Sequence, residues 1–120
     1  MKIAVTSKGP NIDSEVDPRF GRAAYIVFVD SDTLAFDAFD NSENVKALKG
    51  AGIQAASVVS EKGAEVLITG YCGPNAFKAL KAGKVGVAQN AEGTTVRAAV
   101  EAYKAGKLSL VDEPNTEGQW

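Results

Sequence analysis

The chain has 120 residues, 45% hydrophobic and 23% charged, with a formal net charge of −2. That is ordinary globular composition, sufficient for one domain and short of two, and it excludes disorder over the whole length. With no His and a single Cys, the sequence also excludes Ser-His-Asp and Cys-His nucleophilic systems, His-ligated metals, multi-cysteine zinc or iron–sulfur sites and CxxC redox pairs.

Residues 2–7 read as a buried strand ending in small polar residues, with Ser7 at its tip. Residues 24–30 are β-branched and aromatic and form a second strand. Turn chemistry at Asp30–Thr33 leads into a third strand from Leu34 to Phe39, which fades at Asp40 and Asn41. Residues 50–62 read as a helix with Ile53, Ala56 and Val59 on one face and Gly63 past its end. A short apolar strand follows over 65–69. A helix over 74–81 then has Pro74 early and Gly83 after it. A strand over 84–88 precedes the clearest helix, 95–104, in which Val96, Ala99, Val100 and Tyr103 share one face. Residues 1–111 form the single domain. Residues 112–120, acidic and without a base, are expected to be a mobile tail.

The order βββαβαβα implies one mixed sheet with helices on both faces. Right-handed crossovers favour the strand order 3-2-1-4-5 with strand 2 antiparallel. Segments 8–23, 41–52, 70–75 and 89–94 then gather at one sheet edge, where α/β sheets leave a crevice.

Segment 8–23 is long for a connection and carries no periodic pattern, which marks a functional or disordered loop. Phe20 is positioned to anchor it in the core, presenting Arg19 and Arg22 at the edge, with Lys8 adding charge. Guanidinium groups there suit an anion. The alternative is that both arginines pair with Asp13, Glu15 or Asp17 and only brace the loop. At 69–77 a strand ends in Gly70, and a helix opens at Gly73, Pro74 and Asn75 after Tyr71 and Cys72. The N–H groups of such a first turn cradle anions. Cys72, just before it, is either a thiolate of lowered pKa able to ligate metal or a small buried apolar residue. Gly50 to Ala55 matches G-x-G-x-x-A, but no strand directly precedes it and no acid ends the next strand. Gly50 and Gly52 are therefore read as packing glycines whose N–H groups face the same crevice. The first strand carries no acid and no Walker A sequence is present, which removes two-metal nuclease and P-loop chemistry.

Taken together, residues 16–22, 50–56 and 67–77 resemble the dinitrogenase iron–molybdenum cofactor biosynthesis family, over about residues 1–107. The resemblance implies a ribonuclease H-like α/β fold and non-enzymatic binding or carriage of an anionic metal–sulfide cluster. A molybdenum–copper sulfide cluster is the first expectation and an iron–molybdenum cofactor or its precursor the alternative. Ser7, Lys8, Arg19, Phe20 and Arg22 would line the site with Gly50, Gly52 and the Gly70–Asn75 turn, and Cys72 is the candidate metal ligand. A metal-free interaction or regulatory module, acting with a partner complex or a deviant Walker-type ATPase, is the other function class. The acidic balance argues against nucleic acid, and no apolar run approaches a membrane span. No secretory signal precedes Met1, so a cytoplasmic location is expected, and a monomer with it.

Overall fold

In the computed structural model, which describes residues 1–46 and 50–115, the chain turns back on itself at Asp30. The Asp30 carboxylate accepts the N–H groups of Asp32 and Thr33 at 2.8 and 3.2 Å. These bonds close the hairpin between β2 (Tyr25–Asp30) and β3 (Phe36–Asp40). Leu34, expected to begin the third strand, has a φ of 63° and belongs to the turn, so pairing starts with Phe36 opposite Val29.

β2 also pairs antiparallel with β1 (Lys2–Ser7), which runs parallel to β4 (Val66–Ile68), and β4 runs parallel to β5 (Gly86–Ala88). The result is the expected five-stranded sheet of order β3-β2-β1-β4-β5. β1 and β4 are central and covered on both sides, which is why they read as unbroken apolar runs. Pleating then splits their side chains between two cores. Ala4, Leu67 and Val87 face α2 (Ala51–Glu61) and α3 (Pro74–Ala82), where Val59, Phe77 and Leu80 meet them. Ile3, Val5 and Ile68 face α4 (Val96–Lys104), through Val96, Ala99 and Val100. A one-turn helix, α1 (Ser42–Val45), lies in the expected edge segment 41–52, whose residues 47–49 fall outside the described residues.

After α4 the chain returns along β5. Leu110 bridges Ala88, and the Val111 N–H donates to the Val87 carbonyl at 2.8 Å. This covers the outer edge of β5, whose backbone groups would otherwise be left unpaired. Of the segment expected as a tail, residues 112–115 follow this pairing toward the crevice, and 116–120 lie outside the described residues. No helix among the described residues is long and apolar enough to cross a membrane.

Candidate functional site

The long loop after β1 divides its work. Its first half lies along the start of α4: the Val96 N–H donates to the Ser14 carbonyl at 2.9 Å and the Arg97 N–H to the Ile12 carbonyl at 2.8 Å. Thr95 Oγ1 also accepts from the Ala98 N–H at 3.1 Å. The first turn of α4 is thus satisfied from within the protein.

The second half, residues 17–22, turns toward the other loops. The Tyr71 N–H donates to the Pro18 carbonyl at 2.6 Å, and the Phe20 N–H donates to the Tyr71 carbonyl at 3.0 Å. Phe20 is 1% exposed, so it does anchor the loop in the core. Two glycines permit the approach. A Cβ on Gly70 would lie 2.7 Å from the Pro18 Cα and carbonyl oxygen. Gly21, at a φ of +94°, abuts the Cα of Gly52 at the start of α2. Gly52 in turn sits against Ala76 in the first turn of α3. The Arg19 loop and the starts of α2 and α3 therefore share one edge.

A buried hydroxyl chain fixes the arginine loop. Thr6 Oγ1 donates to the Asp17 carbonyl at 2.7 Å, so at 2.8 Å from Thr69 Oγ1 it must be the acceptor. The Asp17 N–H donates back to the Thr6 carbonyl at 2.9 Å. The Asp17 carboxylate accepts the Arg19 N–H at 3.1 Å and lies 3.8 Å from its Nε, while the guanidinium stays half-exposed. Arg22 Nη1 donates to the Val45 carbonyl at 2.7 Å, one of the five N–H groups that a guanidinium offers. Of the bracing partners considered for the arginines, Asp17 is used. Asp13 instead binds Arg97 at 2.8 Å, and that bond holds its carboxyl below the usual range. Glu15 takes Lys8 at 3.1 Å. Ser7 Oγ donates to the Gly9 carbonyl at 2.6 Å, so the polar ends of Ser7 and Lys8 serve the first half of the loop.

α2 starts at Gly50, in the left-handed conformation at a φ of 77°, and α3 starts at Gly73, with Pro74 in the first turn; neither start has a side-chain cap. Asn75 is exposed in that turn. Tyr71 lies beside Arg19 in a parallel bridge, and its hydroxyl donates to Glu92 at 3.3 Å. Cys72 departs from the expectation of a lowered thiol pKa. Its side chain is fully buried, and that burial pushes the thiol up to about 12. Desolvation of the charged form is the cause. The Cys72 N–H donates to Asn115 Oδ1 at 2.9 Å. Asp17, Glu92, Asn90 and Asn115 are the edge residues that sequence reasoning missed. Asp17 was visible in it only as a bracing partner.

A sequence profile described as dinitrogenase iron-molybdenum cofactor matches residues 1–106. The apo form of the orange protein from Desulfovibrio gigas is 49% identical, with 96% of each chain covered and a TM-score of 0.94. A NifB-like protein of the DUF35 family from Thermotoga is 32% identical, with 98% of each chain covered and a TM-score of 0.82. The crystal structure of PH0822, at 22% identity and a TM-score of 0.74 over 94% of this chain and 98% of that one, shares the fold. No curated protein matches the chain.

Proposed function

The chain belongs to the dinitrogenase iron-molybdenum cofactor family, and from that premise we propose that it binds and carries an anionic metal–sulfide cluster without covalent ligands. One observation carries the reading. The Arg19 loop meets the starts of α2 and α3, which lack side-chain caps, whereas the start of α4 is capped. Helix starts and guanidinium groups both favour negative charge.

The donor set fits such a cargo better than a bare metal ion. Among the described residues no group of three or more His, Cys, Asp or Glu could hold a metal. The thiol of Cys72 is protonated at neutral pH and turned into the core. A sulfide cluster brings its own metal ligands and asks only for hydrogen-bond donors, positive charge and an apolar wall. Arg19, Arg22, the first turns of α2 and α3, and the Tyr71 ring meet that demand. Each charge-assisted hydrogen bond contributes about 1.5–3 kcal/mol, so three or four reach roughly micromolar affinity before association costs. The favoured cargo is the molybdenum–copper sulfide that the family resemblance implies, with an iron–molybdenum cofactor precursor second. The protein holds or hands over the cluster and transforms nothing.

The test is retention. The apo-protein is mixed with a pre-formed copper–tetrathiomolybdate cluster and passed over a desalting column. Visible absorbance, molybdenum and copper are expected in the protein fraction, and a colourless protein overturns the reading.

A further inference from the structure

Asn115 makes four hydrogen bonds at the crevice edge. Its Oδ1 accepts from the Cys72 N–H at 2.9 Å, its Nδ2 donates to the Gly70 carbonyl at 2.9 Å and to Asn90 Oδ1 at 3.2 Å, and its N–H donates to the Cys72 carbonyl at 3.3 Å. We propose that Asn115 is a positioning residue for the anion site, clamping the loop between β4 and α3 at the geometry that binding requires. The proposal rests on the reading of this edge as a cluster site.

The loop is held by Pro18 and Phe20 on one side, by Asn90 and Glu92 after β5, and by Asn115. Tyr71 spends its N–H and carbonyl on Pro18 and Phe20, whereas Cys72 spends both on Asn115. Without Asn115 the residue directly before the α3 start would keep no partner for a part-buried N–H, a loss that favours movement. The shared Nδ2 also ties this loop to the one after β5, where Asn90 sits at a φ of +65°. The clamp is itself held on the sheet, because Leu110 and Val111 pair with β5 and the Leu110 side chain covers Gly86. A site built on such a support keeps its geometry better than one left to a loop. Both amide hydrogens of Asn115 are used, and Oδ1 faces a donor, so the side chain acts through the loop and not on the cluster. Asn115 lies beyond residues 1–106 matched by the family profile.

The experiment compares wild type, Asn115→Ala and Asn115→Asp in the full chain. It reads hydrogen exchange of the Cys72 amide in the apo-protein, affinity for a pre-formed copper–tetrathiomolybdate cluster, and the visible circular dichroism that the cluster acquires on binding. In Asn115→Ala, Cys72 exchange rises about tenfold or more, affinity falls about tenfold and the dichroism changes shape. In Asn115→Asp the acceptor for Cys72 remains, so exchange stays slow. Affinity still falls, because a carboxylate now faces the Gly70 carbonyl and Asn90 Oδ1. If Asn115→Ala fails to fold, Asn115→Gln, which keeps the carboxamide but displaces it, carries the comparison. Unchanged affinity and dichroism in the variants overturn the proposal, and so does tighter binding, which would make Asn115 a competitor of the ligand. If wild type takes up no cluster, the cluster reading falls and this role with it. Faster Cys72 exchange in Asn115→Ala would then show that the clamp itself stands.

Discussion

The Tyr71 N–H donates to the Pro18 carbonyl at 2.6 Å, fastening the loop that bears Arg19 to the loop that opens α3. The contact needs Gly70, since a Cβ there would stand 2.7 Å from two backbone atoms of Pro18, which cannot swing aside as a side chain would. Gly70→Ala is expected to cost about 1–3 kcal/mol. Urea unfolding checks this, and an unchanged midpoint would contradict the contact.

Phe20 links the arginine loop to the core. At 1% exposure, its truncation in Phe20→Ala removes a large buried side chain and is expected to cost about 3–5 kcal/mol. Phe20→Leu should recover much of that loss. Thermal unfolding of the pair measures the difference, and equal melting of Phe20→Ala and wild type would contradict the anchor.

The arginines should matter more to the cluster than the cysteine. Arg19→Ala and Arg22→Ala are each expected to weaken binding about 10- to 150-fold, and Cys72→Ser less. Arg22→Ala also removes the bond to the Val45 carbonyl, so its melting temperature is compared in parallel. Titration with one pre-formed cluster decides between the roles. Abolished binding in Cys72→Ser, with normal binding in both arginine variants, would make the thiol a metal ligand.

Burial of Cys72 predicts alkaline lability. Its folded pKa of about 12 is raised, so the folded state holds a proton that the unfolded chain, with a thiol pKa near about 8.5, releases sooner. The contribution is complete below the unfolded value and is lost as pH rises from there through about 12. Stability of wild type should therefore fall faster above pH 9 than that of Cys72→Ala, as read by denaturant unfolding at each pH. At pH 8 the folded thiol, buried and protonated, should also react with a disulfide reagent more slowly than a free thiol, and equal rates would contradict the burial.

The strand order was legible because it needs only element types, one hairpin and the hand of the crossovers. That order led segments 8–23, 41–52, 70–75 and 89–94 to be expected at one edge, and residues 17–22, 50–52 and 70–76 do meet there. A bulky Phe20 within a polar run marked the anchor. α1 escaped because four residues are too few to show a helical period. The orientation of Cys72 is set by alternation along Tyr71 and Cys72, with Tyr71 part-exposed and Cys72 inward, which a turn-like sequence does not display. Asn115 meets partners 43 and 45 residues earlier in the chain. One Asn in an acidic, non-periodic stretch carries no local sign of contacts so distant.

An anionic metal–sulfide cluster is proposed to sit where β1, β4 and β5 end. Amide chemical-shift mapping tests this most directly, with ¹⁵N-labelled apo-protein titrated with a pre-formed copper–tetrathiomolybdate cluster. The largest changes are expected at residues 17–22, 50–53 and 70–76. The exposed face of α4, around Arg97 and Glu101, should stay unchanged. Perturbations centred on α4 or on the β2–β3 hairpin, or none at saturating cluster, would contradict the account.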